Sequence, residues 1–143
     1  KRNYHYNMKK VFPSKVDKFI PLLFWVTSIP AVVIGFREKD LVIFAIMLGA
    51  FGLIMYLLYD TNYIITNGNL KVHSGFIVNK NIPIAEIKSI KKTDSILSAP
   101  AASLTDRIEV FYGNSKSIVI SPKDRKQFVD ELLRQNPEIK VEL

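Results

Sequence analysis

The chain contains no cysteine, which excludes a disulfide framework, a thiolate metal site and a cysteine nucleophile. This absence also fits a reducing, cytosolic compartment. Histidine is nearly as scarce, because His5 and His73 are the two that the chain has. Neither has a second histidine or a cysteine at the spacing of metal ligands. We therefore predict no metal centre, and no motif indicates a cofactor.

Charge is absent from two long runs, the 18 residues 19–36 and the 19 residues 41–59. As helices at about 1.5 Å per residue, each would nearly cross the roughly 30 Å hydrocarbon core of a bilayer. Both runs are apolar around the whole helix, which disfavours two core helices of a soluble domain. A secretory signal peptide is also disfavoured, since a second run follows at once. The four residues 37–40 between the runs predict a transmembrane helical hairpin over 19–59.

The positive charge is concentrated before the first run. Residues 1–18 carry six Lys or Arg and one Asp, whereas residues 60–143 carry twelve basic and ten acidic residues. The hairpin loop has two positive residues, so the positive-inside rule places a basic tail, 1–18, and the domain 60–143 in the cytoplasm. The tail could also attract anionic lipids. Because the domain itself is close to neutral, nucleic acid is not an expected partner. We expect a native start at Met8, with residues 1–7 either a tag remnant or the end of a longer tail.

The second run carries small residues, Ala45, Gly49 and Gly52, on one helix face. Such a face lets another helix approach closely. We favour packing against the first run of the same chain, and a homo-oligomer through this face is the alternative. No ionisable residue lies inside either run, which argues against a channel or transporter.

Residues 60–143 have the pattern of an all-β domain. Asn67-Gly68 between two β-branched runs predicts a tight hairpin over 63–73. Further strands are predicted at 76–78 and 82–84, broken at 79–81, with Pro83 ending its strand or lying at an edge. A short turn over 84–86 leads to a strand at 87–92. After a loop at 93–105, strands are predicted at 107–112 and 116–120.

A helix is predicted over 122–135, with Ser121 as N-cap and Pro122 at its first position. Asn136-Pro137 should stop it. Phe128, Val129, Leu132 and Leu133 form one apolar stripe, so this helix should cover a sheet.

Four segments carry a resemblance to a known family. They are 61–65 (TNYII), 82–90 (IPIAEIKSI), 98–108 (SAPAASLTDRI) and 120–124 (ISPKD). In these segments the chain resembles the YyaB-like bacterial PH-domain family of small membrane proteins. The resemblance implies a mainly β fold, a PH-like bent antiparallel sheet or partly open barrel with a C-terminal helix, preceded by a two-helix transmembrane hairpin. It implies a bacterial plasma membrane and no established activity.

The long loop is the predicted binding site, because loops of that length are usually functional or disordered. Asp94, Asp106 and Glu109 could in principle serve acid–base chemistry, but no nucleophile elbow or phosphate loop accompanies them, so we predict no catalytic residue. The alternative for the lysines near the loop is the solvated face of a strand. The residues assigned to the site are Ser98, Pro100, Ser103, Asp106 and Arg107 of the loop, with Lys88, Lys91 and Lys92 before it.

The function predicted from these features is a non-catalytic binding or scaffold module at the inner face of the plasma membrane. Its partner would be an unknown protein or an anionic lipid surface, in addition to the bilayer that holds the hairpin. The alternative is a stress or bacteriocin self-protection protein of the immunity type that acts within the membrane.

Overall fold

The computed structural model describes residues 9–94 and 106–143. Within these residues a helical hairpin lies between the first and second strands of a two-sheet domain. The elements in chain order are β1 (Lys10–Pro13), α1 (Phe19–Arg37), α2 (Leu41–Tyr59), β2 (Thr61–Thr66), β3 (Asn69–Ser74), β4 (Val78–Pro83), a 3-10 turn (Ile84–Glu86), β5 (Ile87–Thr93), β6 (Arg107–Tyr112), β7 (Lys116–Ile120), α3 (Arg125–Gln135) and β8 (Lys140–Glu142).

The two apolar runs form α1 and α2, each of 19 residues, with mean hydropathies of 2.1 and 2.6. Both are long and apolar enough to cross a membrane. Asp40 caps α2, since its Oδ1 accepts hydrogen bonds from the backbone N–H of Val42 and Ile43 at 3.0 and 3.3 Å. The helices pack on each other through the ring of Phe51, and most of their large apolar side chains face outward. They are therefore not the core helices of a soluble domain.

The packing of Gly49 and Gly52 against α1, which the sequence analysis favours, is wrong. A Cβ added at either glycine would meet no atom within 4 Å beyond its own helix backbone and chain neighbours, so neither glycine faces α1. The contact uses aromatic rings instead: Phe51 lies 5.5 Å from Phe24 and 6.2 Å from Trp25 between centroids. Aromatic side chains fill the gap between the helices, so close approach of the backbones is not needed.

The first sheet has the order β1-β2-β3-β4, with every pair antiparallel. The predicted hairpin is confirmed, since Asn67 and Gly68 turn with φ of 38° and 79°, the sign that a type I′ turn requires. The predicted break at 79–81 is wrong, because these residues pair with β3 within a continuous β4. An edge strand facing solvent accommodates this polar run. Pro83 ends β4 at the sheet edge, as predicted.

The second sheet has the order β7-β6-β5-β8, in which β8 is parallel to β5. Strand β8 is not among the strands predicted from the sequence. An isolated bridge between Ser14 and Pro122 joins the β1 side of the first sheet to the segment that follows β7. The two sheets thus form the bent, partly open barrel that was predicted, with α3 packed against it.

The core lies between the sheets and α3. Phe128 of α3 meets Phe12 edge-on at 5.4 Å and Tyr63 at 6.0 Å between ring centroids. Around them, a set of aliphatic side chains is almost fully buried. These are Ile65, Leu70, Val72, Ile82, Ile84, Ile90, Ile108, Val110, Ile120 and Leu132.

The predicted start of the last helix is wrong, because α3 begins at Arg125 and not at Pro122. Asp124 is the N-cap of α3, and its Oδ1 accepts from the N–H of Gln127 at 3.1 Å. Ser121 is fully buried and hydrogen-bonds to Ser14 instead. Its carbonyl accepts from the N–H of Lys15 at 2.7 Å, which holds the backbone extended here and delays the helix to Arg125. The predicted stop at Asn136 is confirmed.

The segment before the hairpin completes the first sheet. Residues 10–13, which the sequence analysis leaves in the basic tail, pair with β2 in the register Lys10↔Ile65 to Pro13↔Asn62. Phe12 points into the core with 8% of its surface exposed. The hairpin therefore connects two neighbouring strands of one sheet.

Candidate functional site

The helical hairpin joins the sheet domain at a compact region that we call the hairpin base, residues 14–18, 60–61, 74–77, 106–107 and 121–125. The chain enters the hairpin through residues 14–18 and leaves it through Asp60 alone. The N–H of Ser14 donates to the carbonyl of Thr61 at 2.9 Å. The hydroxyl of Thr61 donates to the carbonyl of Leu57 at 2.8 Å and lies 2.9 Å from the hydroxyl of Ser74. The end of α2 is therefore held directly against the sheet, and the segment that leads into α1 is tied to β2 at Ser14.

A buried polar cluster fixes the hairpin base from inside. The Tyr63 hydroxyl donates to Ser14 Oγ at 3.2 Å and accepts from the backbone N–H of Ser121 at 3.1 Å. The two serine hydroxyls lie 3.0 Å apart. Burial raises the pKa of Tyr63, and the hydrogen bonds to Ser121 and Ser14 partly oppose that rise. The cluster joins three distant segments and stays neutral at physiological pH.

Two predicted site residues lie at the hairpin base, Asp106 and Arg107. The Asp106 carboxylate accepts from Arg125 Nη1 at 2.9 Å and from Lys15 Nζ at 3.4 Å. Arg107 is 6% exposed, and its Nη2 donates to the carbonyl of Asp94 at 3.3 Å. Ser98, Pro100 and Ser103 lie outside the described residues. Both ends of the predicted binding loop therefore converge where the hairpin meets the domain.

The structure does not gather the three predicted lysines around that loop. Lys88 lies near the start of β5, whereas the pair Thr93↔Arg107 closes its other end, about 17 Å away at the usual rise per residue. Lys91 pairs with Glu142 at 3.7 Å and sits 5.7 Å from the centroid of the Phe111 ring. Lys92 is exposed opposite Ile108. Because neighbours in a strand face opposite sides, Lys91 and Lys92 do not share a surface.

The turn between β3 and β4 is a feature of the hairpin base that the sequence analysis missed. Phe76 and Ile77, predicted as strand residues, are 75% and 64% exposed in this turn. Gly75 precedes them with a φ of 51° and packs against Leu57 of α2. An apolar pair after Ser-Gly is equally typical of a strand start, so no local signal separates the two possibilities.

A second cluster links β1 to α3. Glu131, 4% exposed, accepts from Lys10 Nζ at 2.6 Å, from Arg134 and from Gln135 Nε2 at 3.3 Å. The Arg134 guanidinium is the largest cause that lowers the pKa of Glu131 to about 2; burial opposes it, and Lys10 and Gln135 add to it. The cluster lines a groove of about 420 Å³ between β1 and α3. With Asp130, which also lines the groove, two carboxylates face the two cations Lys10 and Arg134, and the cluster ties β1 to α3.

His73 pairs with Asp60, with 3.4 Å between Nε2 and Oδ2. Within residues 9–94 and 106–143, no three His, Cys, Asp or Glu side chains come together in a way that could hold a metal ion.

A comparison with known protein families gives a match over more than half of the chain. The model of the family described as bacterial PH domain matches residues 61–136. No curated protein and no solved structure matches the chain. The matched segment runs from the first residue of β2 to the residue after α3, so β1 and the hairpin lie outside it.

Proposed function

The chain belongs to the bacterial PH domain family, and we propose that it is a non-catalytic binding or scaffold module anchored at the inner face of the bacterial plasma membrane. Within the family we assign it to the YyaB-like group of small membrane proteins. The pairing of β1 with β2 across the hairpin is the observation that carries the proposal. It makes the apolar hairpin part of the domain's connectivity, so the domain is held wherever the hairpin is held.

The hairpin supports integral anchoring. Its outward side chains include Trp25, Val33 and Ile46, which are 64%, 49% and 65% exposed. In water such a surface would be unfavourable by about 25 cal/mol for each Å² of apolar area left uncovered. A bilayer of roughly 30 Å removes this cost along almost the whole length of two 19-residue helices.

The charge distribution supports the cytoplasmic side. The segments before and after the hairpin meet at the hairpin base. The tail and the sheet domain would therefore lie on the same side of the membrane. The tail carries six Lys or Arg, against two in the hairpin loop. The positive-inside rule therefore favours a hairpin loop outside and the sheet domain inside.

The free edge of β4 is the surface that we propose for a protein partner. Within the described residues β4 pairs with β3 on one side and ends the sheet on the other. Asn79, Lys80 and Asn81 are exposed along it. An edge strand presents unpaired backbone groups that an extended peptide can extend by strand addition. The short link at Asp60 would hold this edge in a fixed orientation to the membrane.

Single-cysteine labelling tests the anchoring, and the natural absence of cysteine makes it simple. Glu38→Cys reports the hairpin loop, and Asn114→Cys reports the β6–β7 turn in the domain. In intact cells we expect an impermeant maleimide to label position 38, and position 114 only after the membrane is opened. Labelling of position 114 from outside contradicts the orientation, and extraction of the chain by alkaline carbonate contradicts integral anchoring.

Site-specific photocrosslinking tests the β4 edge. A benzophenone amino acid at position 80 should give a discrete protein adduct in native membranes. The same probe at position 126, exposed on α3, is the matched control and should not give that adduct. An adduct of equal yield at both positions, or none at position 80, argues against strand addition at β4.

A further inference from the structure

The turn between β3 and β4 presents an apolar surface that the domain itself does not cover. Phe76 and Ile77 are 75% and 64% exposed, more than any other large apolar residue in the described part of the chain outside α1 and α2. They are adjacent in sequence and stand on one tight turn, with the N–H of Ile77 donating to the carbonyl of Ser74 at 3.2 Å. Exposed apolar pairs of this kind mark a contact with another phase or molecule.

The position of this turn identifies what it touches. A Cβ on Gly75 would overlap Leu57 Cδ2 and lie 3.5 Å from Tyr56 Cε1, so the turn packs against the last turn of α2. The N–H of Gly75 also donates to the carbonyl of Asp60 at 3.5 Å. Since α2 ends at Tyr59, Phe76 and Ile77 stand beside the segment where the helix leaves the hydrocarbon region. The turn therefore lies next to the apolar hairpin, since Gly75 packs against Leu57 and Tyr56 of α2.

We propose that Phe76 and Ile77 are an interfacial anchor that enters the lipid leaflet next to the end of α2. The inference rests on the proposed function, because it takes the hairpin to lie in the bilayer. Apolar side chains at the boundary of headgroups and acyl chains bind by burial of their surface. The anchor adds a second attachment point beside α2 and fixes the tilt of the sheet domain on the membrane.

The proposed contact of Phe76 and Ile77 with the lipid leaflet is apolar. Lys15 and Arg125 of the hairpin base share the single carboxylate of Asp106, and Lys18 and Lys123 of the hairpin base are exposed. The turn itself carries no charge, because Phe76 and Ile77 contribute only apolar side chains, and burial of apolar surface does not depend on anionic headgroups. Insertion of the turn should therefore be insensitive to salt and should occur in zwitterionic membranes.

Tryptophan quenching in vesicles tests the anchor, because Trp25 is the single tryptophan. The full chain is reconstituted in phosphatidylcholine vesicles whose lipids carry bromine at a shallow or a deep acyl position. Wild-type Trp25 reports the hairpin, and Trp25→Phe with Phe76→Trp reports the turn. Trp25→Phe with Asn114→Trp is the matched control on an exposed turn. We expect quenching at position 76 by shallow bromine more than by deep bromine, unchanged in high salt, and no quenching at position 114.

The outcomes separate the two proposals. Quenching at position 25 without quenching at position 76 overturns the anchor and leaves the membrane hairpin standing. No quenching at position 25 overturns membrane insertion, and the anchor with it. If position 76 is shielded from a soluble quencher but untouched by brominated lipid, the turn is covered by a protein surface such as a second copy, and the lipid anchor is overturned. A second comparison uses a reporter chain with Trp25→Phe and Val78→Trp. Adding Phe76→Ser and Ile77→Ser to this reporter chain should reduce its quenching by shallow bromine. Retained quenching also overturns the anchor.

Discussion

Replacing Glu131 with Gln is expected to loosen β1 from α3 and to remove an acid-sensitive part of the domain's stability. The Glu131 carboxylate is buried and accepts from Lys10 of β1 and Arg134 of α3. Gln keeps the shape and one acceptor oxygen but removes the charge that both cations face. Asp130→Asn is the matched control, because it removes a carboxylate one residue earlier from an exposed position on the same helix.

The magnitude follows from the pKa of Glu131, about 2 against an ordinary value of 4.5. This lowering of the pKa corresponds to an upper limit of roughly 3 kcal/mol in the free energy of unfolding. The side chains of Lys10 and Arg134 are 45% and 55% exposed, and water screens such partners. We therefore expect Glu131→Gln to cost about 1–2 kcal/mol at pH 7. Because the folded pKa is lowered, this contribution is present above about pH 4.5 and is lost as the pH falls toward 2.

Urea unfolding of the full chain in lipid nanodiscs measures this, with the near-ultraviolet circular dichroism of tyrosines, Tyr63 among them, as the signal. The midpoint of Glu131→Gln should fall below that of wild type at pH 7, and the two should converge near pH 2. Asp130→Asn should stay within about 0.5 kcal/mol of wild type. A Glu131→Gln chain that is as stable as Asp130→Asn at pH 7, or that keeps the wild-type slope between pH 4.5 and 2, refutes the assignment of this carboxylate as the tie between β1 and α3.

Three further substitutions test the fold around the hairpin base and the sheet. Tyr63→Phe removes the hydroxyl that joins Ser14 and Ser121 and should cost about 1–3 kcal/mol in the same urea assay; a neutral effect would mean that the cluster carries no net stability. Phe12→Ala removes the ring contact with Phe128 and should lower the free energy of unfolding by about 3–5 kcal/mol. Hydrogen exchange in β2 should become faster, and unchanged exchange there would show that β1 does not stabilise β2. Gly68→Ala places a Cβ at a φ of 79° and should cost about 1–2 kcal/mol, so a stability equal to wild type would contradict the type I′ turn.

Local signals predicted the parts of the fold that depend on neighbours in sequence. The charge-free runs became α1 and α2, and Asn67-Gly68 became the turn between β2 and β3. Strands β1 and β8 were missed because nothing local marks them. Residues 10–13 contain one buried side chain, Phe12, and β8 contains none. Each becomes a strand only through pairing with a segment about fifty residues away.

The candidate site was less predictable for a related reason. Lys88, Lys91 and Lys92 look like one basic patch in sequence, but strand geometry sends neighbours to opposite faces and separates the ends of β5. The helix cap shows the same ambiguity, since Ser121 and Asp124 are both good N-cap residues. The hydroxyl of Ser121 is engaged by Ser14, a residue on the far side of the hairpin. The faces of the lysines and the choice of N-cap both depend on contacts with residues distant in sequence, which a local sequence pattern does not reveal.

The insertion of the hairpin between β1 and β2 also explains how so short a strand can pair stably. Pairing of β1 with β2 closes the segment 14–60, and for a flexible segment of that length closure costs about 3 kcal/mol in entropy. Two antiparallel helices in contact already bring their ends within about 10 Å of each other. Most of the entropy of closure is therefore lost when the hairpin forms, before β1 pairs with β2. The dependence runs in both directions, because β1 supplies Phe12 to the core and Lys10 to Glu131. Residues 60–143 alone, without β1, would leave Tyr63 and Phe128 uncovered on that side. The folding unit of this protein therefore includes β1 as well as the family domain, and the hairpin is the connection that makes it continuous.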